Sequence, residues 1–587
     1  MRTGHLLAAT VLALLLPAPA SGGEGAPLRI VALQRCGDLL AREREVCLRV
    51  DGAAPERVRL LLDGRVVPHT VEDGTLRLRL DPALHGSGPL HARSGDRRSN
   101  PVWLSMRASA TLAAGPDEVE ENAFGITTYR DLVAVLTEGG EDAARDLAAH
   151  VGAELVGAIP PLRVWQLRLP ARDLEAREAL LQRLRAAPGV RAVMVEESSP
   201  EDGLEGEAGD AGAPDPDLAA NRFMQAVETY RRRVPGTGGA RVAPAPVRIG
   251  VVERAVYWES PDFAGLAAQD DPQRLRLYAR AADEADGHGS TVAGIFAAAG
   301  AAGGATGFLR ALDGHHGGME LIVDRGSDAG LLENVATTVR MVEDGARLIN
   351  WSWGVHRVGA RRVEGGRVDS ALRSPEAFAG YEALLRAFFD WLAEAHPDVL
   401  VVNSAGNAGT FSGDSDHRLP SALRSPQLLV VGGHERSDEA GRVADPDFAT
   451  RRASSNLDTR VDITAAACVR APAAAPGEAG ARRCGTSYAT ALATATVAAM
   501  RSIAPELAPA ALRDLLRRSA LPIGEDLDAD ADEAEALTAP LRPHERGGRR
   551  DDPDVGRSAR LDMRGALRLA LEAREGGRAP ALRRADR

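Results

Sequence analysis

Hydrophobic and polar positions change rhythm several times along the chain, and each change marks a different kind of element. Between residues 27 and 106 apolar and polar residues alternate in short runs, "LRIVAL", "VCLRV", "RVRLLLDGRVV", "TLRLRL" and "NPVWLSM". Alternation at period two is the mark of strands with one buried face. Asp63-Gly64 and Asp73-Gly74 stand between such runs as hairpin turns. Residues 27–106 therefore read as a small β-sandwich-like domain, with binding or spacing as its role.

From 124 to 198 strand and helix rhythms alternate. "YRDLVAVLT", "LRVWQLRLP" and "VRAVMVEE" read as strands, and 141–151 and 174–187 as helices. There is room for one more strand near 153–159. The order predicts a ferredoxin-like α+β unit. Residues 201–217 follow with seven carboxylates, no basic residue and several Gly and Pro, which is linker composition. The linker is bounded at 199–222. From about 247 the apolar runs become continuous, in "VRIGVVE", "RLINWSWG", "VLVVNSAGN" and "LLVVGGHE". Such runs suit a parallel sheet covered on both faces by helices, which the pattern places at 288–300, 329–344 and 376–395. A closing helix is expected at 561–574 and an Arg-rich tail at 576–587.

Composition narrows the setting. Arg2, the apolar run Leu6–Leu16 and Ala18-Pro19-Ala20 have the order of a signal peptide over 1–20. Later in the chain no stretch approaches 18 uninterrupted apolar residues, so no membrane association is expected after signal removal. A net charge of −12 argues against nucleic acid as a partner. All 71 basic residues are Arg, a compositional bias that takes functional weight away from Arg runs. Cys36 with Cys47, and Cys468 with Cys484, form two local pairs, which suggests disulfides and a secreted or periplasmic location. Zinc would call for C-x₂-C spacing, which neither pair has.

Chemistry concentrates in four segments of the α/β region. "CGTSYATALATA" places Ser487 where a loop becomes a helix of small residues. Taken alone, a hydroxyl there is an N-cap; beside a base it is a nucleophile at the positive end of a helix. "GHGSTVAGIFAA" sets His288 between glycines at another helix start. "VVNSAGNAG" ends a strand in a turn carrying Asn407, and "RIGVVERAVYWESPDF" ends the first strand at Glu253. Each has an ordinary reading as turn, cap or surface polarity. Together, in the order acidic residue, His, Asn, Ser, they are harder to dismiss.

Over residues 223–575 the chain resembles the subtilisin-like serine proteases, most specifically in "GTSYATALATA", then in "HGSTVAGI" and "SAGNAG". The resemblance implies a catalytic triad of Glu253, His288 and Ser487, with the Asn407 amide in the oxyanion hole. It also implies that Ser352, Trp353 and Gly354, with Ser404, Ala405 and Gly406, hold the substrate backbone and the side chain before the cut. Residues 124–198 resemble the family's prodomain, which makes that segment an intramolecular inhibitor. Proteins or peptides are then the substrates, and neither cofactor nor metal is called for. The adjacent His315 and His316 read as an exposed loop.

The departures from the family pattern are specific. Glu253, Arg254 and Ala255 stand where the family has Asp, a small residue and Gly. Thr291 stands where many members have a second His, and "DITAAACV" carries Cys468 where Pro-Gly is usual. A Cys468–Cys484 bridge would compensate by fixing the loop ahead of Ser487. The leading expectation is a secreted serine endopeptidase made as a zymogen. The alternative is a secreted, catalytically impaired pseudoprotease that binds peptides or proteins. An α/β-hydrolase esterase is disfavoured because no G-x-S-x-G elbow surrounds Ser487.

Overall fold

The structure is a computed structural model. It describes residues 26–198, 216–234, 244–268, 270–301, 304–325, 330–362, 365–368, 371–410, 418–437, 442–445, 448–456, 461–521, 523 and 559–576. The expected signal peptide lies outside these residues, as do most of the acidic linker and nearly all of the Arg-rich tail.

The alternating N-terminal runs form two antiparallel sheets. One orders the strands Arg29–Arg35, Arg44–Asp51, Thr75–Leu80 and Thr70–Glu72; the other is centred on Arg59–Leu62 and Gly88–Ser94. Their inward positions, among them Ile30, Leu48, Leu60, Leu76, Leu78 and Leu90, share one core. Two-residue turns close two hairpins. Asp63-Gly64 and Asp73-Gly74 have positive φ at both positions, which these turns require. A Cys36–Cys47 disulfide links the end of the first strand to the second. The unit docks on the edge of the large sheet, where Asn100 Nδ2 donates to Ala279 O (2.8 Å) and Ala279 N to Pro101 O (2.9 Å). That covers an otherwise open sheet edge.

Residues 127–198 run strand, helix, strand, strand, helix, strand. The antiparallel order is Glu154–Ile159, Val164–Arg168, Thr127–Thr137, Val190–Ser198. The helices Glu141–Val151 and Leu174–Ala186 bury Ala144, Leu147, Val151, Leu181 and Leu184 against one face. From the opposite face Leu136, Ile159, Val164 and Met194 share a core with Phe378, Tyr381 and Leu385 of the Pro375–Ala395 helix. Contact there is close: a Cβ on Gly380 would lie 3.0 Å from Met194 Cα, tighter than nearly all side chains accept.

The third unit has a subtilisin-like α/β fold. Seven parallel strands run in the order Leu275–Ala279, Met319–Val323, Val247–Val251, Leu348–Trp351, Leu400–Ser404, Leu428–Arg436, Ile463–Ala466. Ala449–Arg451 adds an antiparallel edge piece. Continuous apolar runs are explained by helices on both faces. His288–Ala297, Thr486–Ile503 and Met563–Glu575 share one core, and Gly330–Glu343 and Pro375–Ala395 the other. Chain order reverses at Val247–Val251, and such a reversal opens a crevice at the carboxyl ends of the strands. Among the described residues no helix is long and apolar enough to cross a membrane.

Candidate active site

Glu253 follows the first strand at that reversal point and is 6% exposed. His288 opens its helix immediately before Gly289, which meets the 253–255 backbone. A Cβ on Gly289 would sit 2.5 Å from Ala255 O, so only glycine lets helix and strand end approach this closely. The approach brings His288 Nδ1 to 3.0 Å from Glu253 Oε2. An ionised carboxylate can only accept, so Nδ1 carries the proton and Nε2 is left as the base. Glu253 is buried whereas Arg254, next in sequence, is exposed. Two further carboxylates between Glu253 and His288 in sequence, Asp262 and Asp286, are committed elsewhere. Asp262 accepts the backbone N–H groups of Ala301 (2.9 Å), Ala305 (3.2 Å) and Ala473 (2.9 Å), and Asp286 pairs with Arg483.

Ser487 lies in the first turn of the Thr486–Ile503 helix and is 7% exposed. Its Oγ donates to Ser352 O and Ser352 Oγ donates to Ser487 O, each at 3.3 Å. Ser352 is thus its hydrogen-bond partner among the described residues, in place of His288. Catalytic hydrogen bonds are often long or misaligned in the absence of substrate. Tyr488, the next residue, fills the space behind the imidazole with ring centroids 5.5 Å apart, and burial pushes its phenol pKa up.

Asn407 is oriented by what holds its other end. Thr486 N and Thr486 Oγ1 donate to Asn407 Oδ1 at 2.8 and 3.0 Å. A backbone N–H can only donate, so the carbonyl end must face Thr486 and Nδ2 faces away from it as a donor. The chain reaches Asn407 through Gly406, whose φ of +104° favours glycine.

Both expected wall segments are tied to that frame. Asn403 Nδ2 donates to Trp351 O (3.0 Å) and Trp353 O (2.9 Å), which fixes the path of Ser352-Trp353-Gly354. Asn456 Nδ2 donates to Ala405 O (2.9 Å), and Arg418 NH1 to Ser404 O (2.6 Å), which fixes Ser404-Ala405-Gly406. Cys468 and Cys484 face each other in a two-stranded hairpin and are bonded, with Gly485 N donating to Ala467 O (2.9 Å) just before Ser487.

His316 corrects the expectation of an exposed loop. It is fully buried, donating from Nε2 to Asp313 Oδ1 (3.0 Å) and accepting Gly318 N at Nδ1 (3.2 Å). Both ring nitrogens serve the fold, and no cluster able to hold a metal occurs among the described residues.

A model of the subtilase family, a family of serine proteases, matches residues 245–551, more than half of the chain. The chain belongs to the subtilase family. No curated protein matches it. Among solved structures it is similar to fervidolysin from Fervidobacterium pennivorans, described as a keratinolytic enzyme related to subtilisin. The identity is 14% and the TM-score 0.47, covering 79% of this chain and 65% of that one, so the match spans under two thirds of fervidolysin. It is also similar to the epidermin leader peptide processing serine protease of Staphylococcus aureus. That identity is 14% and the TM-score 0.47, covering 75% of this chain and 98% of the other. Sequence reading of this subtilase passed over Tyr488, Asn403, Asn456 and Arg418. Of these Tyr488 and Asn403 sit inside quoted motifs; Asn456 and Arg418 act through contacts between distant segments.

Proposed function

We propose that this subtilase is a secreted serine endopeptidase using Glu253, His288 and Ser487, with Asn407 in the oxyanion hole. The observation that carries the reading is the Glu253–His288 hydrogen bond, which leaves Nε2 of a part-buried imidazole as base near the N-terminus of the Ser487 helix. In the proposed cycle His288 Nε2 takes the Ser487 proton as Oγ attacks the substrate carbonyl. Asn407 Nδ2 and the Ser487 N–H hold the resulting oxyanion, and Glu253 stabilises the imidazolium. The C–N bond then breaks as His288 returns the proton to the leaving amine. Water, deprotonated by the same Nε2, attacks the acyl ester and releases the acid and the free serine.

Residues 124–198 would serve as the prodomain, a role supported by their packing on the Pro375–Ala395 helix of the catalytic unit. Two disulfides support an oxidising, secreted or periplasmic setting. One observation favours the pseudoprotease reading instead: Ser487 Oγ bonds Ser352 O. A fluorophosphonate probe separates the two. Labelling and casein hydrolysis by the wild type, both lost in a folded Ser487→Ala variant, are expected. An unlabelled wild type, or hydrolysis surviving in Ser487→Ala, would sink the protease reading.

A further inference from the structure

We infer that residues 26–106 remain on the catalytic unit as a non-covalent subunit once residues 124–198 are cut away, holding in place the backbone that carries Glu253 and His288. The inference rests on the proposed removal of residues 124–198 and adds what the released enzyme keeps.

The observation behind it is a stack of four backbone layers. Outermost is the N-terminal unit, where Ile30 O accepts Ala281 N (2.8 Å) and Pro101 O accepts Ala279 N (2.9 Å). Buried Asn100 locks this seam. It accepts Ile30 N at Oδ1 (2.8 Å) and donates from Nδ2 to Ile30 O (3.1 Å) and Ala279 O (2.8 Å). Next come residues 279–282, where Val256 N donates to Arg280 O and Ala282 N to Val256 O, each at 2.9 Å. The third layer, 253–259, carries Glu253. The fourth is the start of the His288 helix, which meets the third where Gly289 abuts Ala255 and where Tyr257 N donates to Ser290 Oγ (3.0 Å). Glu253 and His288 thus approach each other on backbone that the N-terminal unit supports from outside.

Side chains close the same seam. Arg29 pairs with Glu259 (2.5 Å) and Asp283 (3.5 Å), and Arg98 donates twice to Asp270 (2.8 and 3.0 Å). Trp103 Nε1 and Arg107 Nε donate to the two oxygens of buried Asp344 (3.0 and 2.7 Å). Departure of the unit would open the edge of the strand Leu275–Ala279 and take both donors from Asp344.

Residues 124–198 dock elsewhere, on the Pro375–Ala395 helix. The connector stays with the catalytic unit as far as Thr111. Arg340 NH1 donates to Ser109 O (2.8 Å), and Thr111 Oγ1 to Glu333 Oε2 (2.6 Å). Beyond it Ala113, Pro116 and Asp117 are exposed, ahead of the strand Val119–Glu121. A cut there, with one in the 199–222 linker, frees residues 124–198 and leaves the N-terminal unit seated.

The test uses the full chain with Ser487→Ala, carrying recognition sites for a sequence-specific protease between Ala113 and Pro116 and within 201–211. After both cuts the N-terminal piece should co-elute with the catalytic piece in size exclusion. Glu259→Arg sets two cations face to face and should speed its dissociation at least about tenfold, and adding Arg29→Glu should restore most of the hold. Glu259 belongs to the catalytic unit, so its effect reports direct contact and not bridging through the Ala110–Ala158 pairing. In the released state amide exchange over 253–259 and 279–290 should be at least about tenfold faster, as for backbone that opens locally. An N-terminal piece that elutes alone overturns the inference, even if Glu259→Arg fails to fold. Retention indifferent to Glu259→Arg overturns it too, as does release that leaves exchange over 253–259 and 279–290 unchanged. None of these measurements uses turnover. Fluorophosphonate labelling of the wild type judges the protease reading separately.

Discussion

Glu253 Oε2 accepts the Nδ1–H of His288 across 3.0 Å, although Glu is one methylene longer than the residue the family uses there. The helix carrying His288 and the 253–255 backbone meet at Gly289, so the longer side chain is accommodated without loss of the contact. Glu253→Gln should cut kcat by orders of magnitude, because an amide can hold the wrong tautomer and cannot stabilise the imidazolium. Glu253→Asp shortens the reach by about 1.5 Å, a misplacement that can cost about 100-fold. Steady-state peptide kinetics check both; full turnover by Glu253→Gln would remove Glu253 from the triad.

Asn407 holds Thr486 and, in the proposed mechanism, donates to the oxyanion; two substitutions divide these roles. Asn407→Ala loses both the donor toward the oxyanion and the acceptor that holds Thr486. It should lower kcat by about 100- to 1,000-fold and also lower the melting temperature. Asn407→Asp keeps the acceptor for Thr486 N–H and replaces the donor with an anion. Its expected result is lost turnover with stability near wild type, read by kinetics and calorimetry on the same samples.

Docking of residues 124–198 should depend on pH through Glu196. That carboxyl accepts Leu331 N (2.6 Å) and the Tyr381 hydroxyl (3.1 Å), yet burial outweighs these bonds and pushes its pKa up to about 7. A carboxyl whose pKa is higher in the docked state binds more protons there than when released, so this contribution to stability falls as pH rises from about 4.5 to about 7. The Ser487→Ala full chain, which cannot process itself, should therefore melt lower at pH 8 than at pH 5. Glu196→Gln should remove that part of the difference. An unchanged pH dependence in Glu196→Gln would count against Glu196 as the titrating group.

Removing the Cys468–Cys484 bridge, by changing both to Ala, should destabilise the chain by roughly 3 kcal/mol, the loop-entropy value for a closed loop near the observed separation of 16 residues. The loss should fall more heavily on activity than on global folding, since the bridge precedes Ser487 by only a few residues. Urea midpoints and the rate of fluorophosphonate labelling, compared on the same variant, measure the two effects.

Four local signatures were readable without a structure because each is a strand end or helix start whose residue types are set by neighbours in sequence. Glu253, His288, Asn407 and Ser487 all come from such places, and so do the hairpin glycines and the helices 141–151 and 376–395. Less legible were the strands Leu275–Ala279, Met319–Val323 and Ile463–Ala466. Each is five residues or fewer with both faces largely covered, too short to show a period. The burial of His316 was hidden as well, because two histidines among glycines look the same in a loop as in a core. Tertiary contact alone decided three things: which end of Asn407 faces outward, which carboxylate reaches His288, and that Arg418 lies between Gly354 and Gly406. Each depends on residues tens of positions apart approaching within a few ångströms, and local residue preferences carry no record of such an approach.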